Sequence, residues 1–138
     1  MQVPSPSVRD LARRLLDREA ASPSPAGGHE AERVCEKLRV LLTRFAGAEG
    51  FLALMRRSLA LAREEVPALQ RLILKPDGCF GGFEAALDGD GNEAGTALTA
   101  HFLWLLFTFV GEPIGLRLIL EEWPDLTIES IRFLETRT

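Results

Sequence analysis

The sequence predicts a mainly α-helical fold: a bundle of about four or five helices with a minor β-hairpin near residues 72–83. Three observations predict it. Residues 97–110 read Ala-Leu-Thr-Ala-His-Phe-Leu-Trp-Leu-Leu-Phe-Thr-Phe-Val and are apolar on nearly every side, so a helix there must be buried all round. Two further stretches, Glu30 to Ala46 and Ala48 to Val66, place apolar residues three and four apart, the spacing of one buried helix face. The strand signal is short: Leu72-Ile-Leu-Lys75, the turn Pro76-Asp77-Gly78, then Cys79-Phe80-Gly-Gly-Phe83.

The first helix is expected from about Val8 to Ala20, capped by Ser7 and with Asp10 in its first turn, where the helix dipole favours an acid. Leu11, Leu15 and Leu16 form a narrow apolar stripe, and Arg9, Arg13, Arg14 and Arg18 crowd the remaining surface. Ser22-Pro-Ser-Pro-Ala-Gly-Gly28 follows. Its prolines forbid regular helix and its glycines add freedom, which marks a linker. The chain therefore divides into residues 1–28, a tethered amphipathic helix with its linker, and residues 29–138, a single helical domain.

Val34, Leu38, Leu41 and Phe45 mark the buried face of the second helix, with Cys35 and Leu42 beside it, and Gly47 stops it. Phe51, Met55, Leu59, Ala62 and Val66 mark that of the third, while Arg56, Arg57, Arg63, Glu64 and Glu65 take the wet side. Pro67 ends it. The link Gly47-Ala-Glu-Gly50 makes the two an antiparallel hairpin. The β-hairpin beyond them is marginal alone and must lie on the helices. After the loop Asp88-Gly-Asp-Gly-Asn92 and the central helix, Gly111 is a stop and Glu112-Pro113 opens a last helix reaching about Trp123. The tail, Asp125 to Thr138, fits neither the helical nor the strand period cleanly.

The competing reading of residues 97–110 is a membrane span. Fourteen helical residues reach roughly 21 Å, short of a hydrocarbon core of about 30 Å. Extension brings in Glu112, Pro113 and Arg117, so no span is expected.

Charge is lopsided. Residues 1–76 carry 13 basic and 9 acidic side chains, net +4, and residues 77–138 carry 3 and 11, net -8. The two halves suit each other within a fold or across a homo-oligomer, and the overall -4 gives no nucleic-acid footprint. Arg56 and Arg57 would face DNA if the pair around Gly47 were a helix-turn-helix, but Glu64 and Glu65 share their helix. Fourteen of the sixteen basic residues are arginine, which suggests a GC-rich, bacterial coding sequence. Cys35 and Cys79 form no close motif, and no disulfide framework follows. The first residues lack a charged region followed by an apolar one, so the expected compartment is the cytoplasm.

No convergent catalytic constellation stands out. Asp88, Asp90 and Asn92 match three calcium-loop ligands, but Glu93 stands where glycine is needed and Thr99 where a bidentate glutamate is needed. His101 lies among apolar neighbours and is expected as a core histidine bonded to a backbone or hydroxyl group. Gly81-Gly82 opens no phosphate loop. No enzyme activity, metal or cofactor is expected. The leading expectation is a non-catalytic protein–protein interaction or regulatory module. It would self-associate as a homodimer through the first helix, with Leu11, Leu15, Leu16, Arg13 and Arg14 as the contact residues; docking of that helix on its own chain is the alternative to dimerisation. The alternative is a small-ligand sensor with a pocket lined by His101, Trp104 and Phe107.

Overall fold

A computed structural model of the chain describes residues 4–21, 30–82 and 91–124. It is a mainly α-helical bundle with a two-stranded antiparallel sheet. The helices are α1 (Pro6–Ala21), α2 (Glu30–Glu65), α3 (Gly91–Val110) and α4 (Glu112–Glu122). A single 3-10 turn (Pro67–Arg71) leads from α2 into strands β1 (Ile73–Leu74) and β2 (Phe80–Gly81).

Helix α1 starts two residues before the sequence suggests. Ser5, not Ser7, is its cap: the Ser5 hydroxyl accepts the Val8 N–H at 3.3 Å, and Pro6 takes the first helical position. Ser7 is buried inside the first turn. Asp10 consequently lies beyond the first turn and accepts from Arg14, one helical turn on, at 2.8 Å.

Helix α2 contains both expected helices, broken at Gly47 alone (φ 83°, ψ 167°). That conformation is open to glycine and strained for any residue with a Cβ. Val34, Cys35, Leu38, Leu41 and Leu42 are buried before the break, and Phe51, Met55, Leu59 and Ala62 after it. Phe45 departs from the expected face and is 47% exposed. Residues 44–49 are all exposed, so the helix end outruns the elements it packs on, and spacing alone cannot bury a side chain there.

The β-hairpin lies on the helices. Leu74 pairs with Phe80 and Ile73 with Gly81; Leu74 and Phe80 pack against the core, whereas Ile73 is exposed. Arg63 anchors the approach by donating to the carbonyls of Leu69 (3.2 Å) and Leu72 (2.7 Å).

Helix α3 is the centre of the bundle. It starts at Gly91, ahead of the apolar run, and from Ala94 to Phe107 every residue but Trp104 is buried. The Phe102 ring meets Phe51 of α2 at 5.9 Å and 49°. Phe107 packs on α4 so closely that a Cβ at Gly115 would lie 2.3 Å from its ring. Among the described residues one stretch, Glu93–Val110, is long and apolar enough to cross a membrane by length and composition, and 72% of it is buried inside the protein, as a core helix requires.

Helix α1, read from sequence as a tethered element, packs into this same core. Leu11, Leu15 and Leu16 are buried with residues of α2, α3 and α4 in one cluster. The leucines expected to face a second copy are thus covered within the chain, because both α2 and α3 present apolar surface to that stripe. The strand-or-helix question for residues 125–138 lies outside the described residues, as do Asp88, Asp90 and the Asn92 side chain of the calcium reading.

Candidate functional site

Among the described residues, polar and exposed apolar chemistry gathers in two charged clusters on α1, in a recess of about 490 Å³ lined by Pro6, Arg9, Asp10, Arg13 and Arg14, and in an apolar groove on α2.

The first cluster joins α1, α2 and α3. Arg9 donates both terminal nitrogens to Glu65, at 2.7 and 2.8 Å. His101 Nε2 lies 3.0 Å from Glu65 Oε1, the same oxygen that accepts from Arg9 Nη2. The Arg9 guanidinium, through hydrogen bonds and charge, holds the Glu65 carboxyl below the usual carboxylate range against the opposing effect of burial, and His101 adds to it. His101 is buried as expected, but its partner is a carboxylate rather than a backbone or hydroxyl group. Glu65 lies on the wet side of its helix, as the sequence suggests, and its side chain is 35% exposed, enough to bridge water and core. A histidine–carboxylate pair is a proton-transfer element only beside a substrate cleft. Here the ring is enclosed and its Nδ1 has no hydrogen-bond partner among the described residues. The arrangement fastens three helices.

The second cluster is more deeply set. Glu19, near the C-terminal end of α1, is 4% exposed. Its carboxylate meets Lys37 at 2.6 Å and Arg33 at 3.4 Å, and accepts the Trp123 indole N–H at 3.0 Å. Arg33 also donates to the Glu19 carbonyl at 2.6 Å, and the Lys37 ammonium lies 5.4 Å from the centre of the Trp123 ring. Burial pushes the Glu19 carboxyl up, but Lys37, Trp123 and Arg33 together outweigh it and leave the group lower than usual. Four side chains from α1, α2 and the end of α4 converge here. No short motif announces them, since the contacts span 14 to 104 positions in sequence.

Among the residues expected to bind a partner, Leu11, Leu15 and Leu16 are core, Arg14 pairs with Asp10, and Arg13 is exposed. The three residues expected to line a ligand pocket point to different tasks. His101 binds Glu65, Phe107 packs on Gly115, and Trp104 is partly buried at the core margin. The cysteines stay apart: Cys35 is buried and Cys79 exposed. Burial, with Glu32 and Glu36 nearby, pushes the Cys35 thiol up to about 12, which makes it an inert core residue. Among the described residues no group of three His, Cys, Asp or Glu is placed to hold a metal ion.

The apolar groove has a volume of about 280 Å³ and straddles the break in α2. Leu42 and Ala46 contribute from before Gly47, and Gly50, Ala53, Leu54 and Arg57 from after it; Phe109 of α3 completes the lining. It opens because three of these positions carry a methyl group or less. Gly50 leaves no room for more, since a Cβ there would lie 2.8 Å from that of Ala46. Phe109, next to the polar end of an otherwise buried helix, is 68% exposed. Sequence reasoning missed this groove: small residues at 46, 50 and 53 look like helix surface until Gly47 sets the two halves at an angle.

No protein family, curated protein or solved structure matches this chain, so its function has to be read from these features alone.

Proposed function

We propose that the protein is a non-catalytic interaction module that takes an apolar side chain of a protein partner into the groove beside Phe109. One observation carries this reading. Among the described residues the groove is lined by apolar and small side chains with a single cation, Arg57, and a phenylalanine at its edge is two-thirds exposed. Exposed apolar patches with a polar rim mark binding surfaces, and aromatic anchors entering a recess are the energetic centre of such contacts. The volume of about 280 Å³ is room for one or two anchoring side chains. The two charged clusters support the same reading from the other side, since both are spent on holding the bundle together.

The test is photo-crosslinking in cells, with p-benzoylphenylalanine in place of Phe109 in one variant and of Arg13 in another. A partner captured at position 109, not at position 13, and lost when Ala53→Arg fills the groove supports the proposal. An identical capture pattern at both positions, or one that Ala53→Arg leaves unchanged while the fold melts normally, overturns it.

A further inference from the structure

The groove lies open in the described part of the chain, and an exposed phenylalanine beside an apolar recess is a surface that another apolar segment can cover. The path of the chain says what is close enough. Phe109 stands three residues before α4, and α4 is 11 residues long, about 16 Å. Its far end is pinned: Glu122 meets Arg44 of α2 at 2.7 Å, and Trp123 meets Glu19 at 3.0 Å. The last described residue, Pro124, therefore lies on the order of 20 Å from Phe109. Residues 125–138 follow. Fourteen residues reach up to about 46 Å when extended, roughly twice what is needed.

Their composition points the same way. Leu126, Ile128, Ile131, Phe133 and Leu134 are large and apolar, and the segment has no glycine or proline. A purely solvating tail is poor in such residues. The segment carries Asp125, Glu129 and Glu135 against Arg132 and Arg137, and the described groove lining is apolar apart from Arg57. We propose that the chain's own C-terminal segment seats its apolar cluster, centred on Phe133, in the groove, so that a partner enters only by displacing it. This rests on the proposed docking role of the groove and adds its regulation: the free protein is self-covered, and binding is a competition between two apolar segments for one site.

The test uses the full chain with p-benzoylphenylalanine in place of Phe109, prepared as an equal mixture of light- and heavy-nitrogen protein. Irradiation followed by peptide mass spectrometry reads the neighbour of position 109. The expected product joins position 109 to residues 118–137 of the same isotope label, with attachment beyond Pro124. Mixed-label products would make a second copy the occupant and overturn the proposal, as would the absence of any product in residues 125–138. A second variant guards against a local packing effect of the probe. Phe133→Asp in the full chain should raise the fluorescence of the apolar dye ANS several-fold, and adding Ala53→Arg should abolish the gain. Unchanged dye binding in Phe133→Asp overturns the self-covered state. If the tail fails both tests while position 109 still captures a partner sensitive to Ala53→Arg, the docking role stands and only its regulation falls.

Discussion

The two ends of α1 are fastened by charge in opposite ways. Near its start α1 supplies the cation: Arg9 grips Glu65, which in turn meets His101. Near its end α1 supplies the anion: Glu19 gathers Lys37, Arg33 and Trp123. Turning the helix end for end would set Arg9 against two cations and Glu19 against a carboxylate. The leucine stripe between them holds α1 down but is indifferent to direction, so the charges select the orientation, as electrostatic complementarity does at interfaces between proteins. The clusters also differ in depth. The Glu19 side chain is 6% exposed, whereas Arg9 and Glu65 are 29% and 35% exposed. Depth decides how much each is worth.

Glu19→Ala is expected to have the largest effect. It removes the buried carboxylate that Lys37, Arg33 and the Trp123 N–H share. Removing one partner of a buried charged hydrogen bond costs about 1.5–3 kcal/mol. Lys37 is 41% exposed and can turn outward, so the loss should stay at about 2–3 kcal/mol rather than the 3–5 kcal/mol of a fully enclosed pair. Denaturant melts measure it. A loss under about 1 kcal/mol would mean that the buried cluster behaves as a surface pair and that depth does not separate the two ends.

Acid should weaken both ends. The carboxyls of Glu19 and Glu65 are both held below their usual range in the folded protein. Their stabilisation is therefore fully present above the unfolded value, about 4.3, and is lost as pH falls through the lowered folded values. Unfolding free energy should thus decline from about pH 5 downward. Glu19→Gln and Glu65→Gln should each flatten that acid limb, as followed by melts between neutral and acid pH. An acid limb that either variant leaves unchanged would contradict the lowered carboxyl at that end.

These contrasts were only partly open to the sequence. The buried surround of α3 was legible because its residues are apolar at every angle, so no choice of partner changes the outcome. The stripe of α1 was legible too, though not what covers it. Whether Leu11, Leu15 and Leu16 meet their own chain depends on the apolar faces of α2 and α3, which local spacing does not locate. Glu19 and Glu65 were opaque for a different reason. A carboxylate on a helix looks solvated until a cation 14 or 56 positions away is folded against it. Phe45 shows the converse error, a residue in register with a buried face but beyond the end of its neighbours. The groove needed the bend at Gly47, whose sequence signal predicts a stop and says nothing about the angle that follows.

Arg9→Ala should cost about 0.5–1 kcal/mol, the range of an exposed ion pair with good bidentate geometry. Glu65 keeps His101 at 3.0 Å, so the carboxylate is not stranded and little else need rearrange. A loss above about 2 kcal/mol in denaturant melts would show that the outer cluster is as deeply coupled as the inner one.

Salt sharpens the comparison by the smallest effect. Raising ionic strength from 0.1 to 1 M shortens the screening length from about 10 to 3 Å. Screening acts on charges that water and ions can approach, so it should weaken the Arg9–Glu65 pair and leave Glu19 with its partners nearly untouched. General salt effects on burial act on parent and variant alike, and they cancel when the two are compared at each salt concentration. The quantity to follow is therefore the difference in unfolding free energy between parent and Arg9→Ala, set beside the difference between parent and Glu19→Ala. The first should shrink toward zero at 1 M sodium chloride, a change of only a few tenths of a kcal/mol. The second should hold. If both differences shrink in parallel, water reaches Glu19 in solution and the inner cluster opens readily. If neither shrinks, the outer pair owes its worth to the bidentate hydrogen bonds rather than to its charges, and Arg9→Lys, which keeps the charge but loses the fork, should then be as damaging as Arg9→Ala.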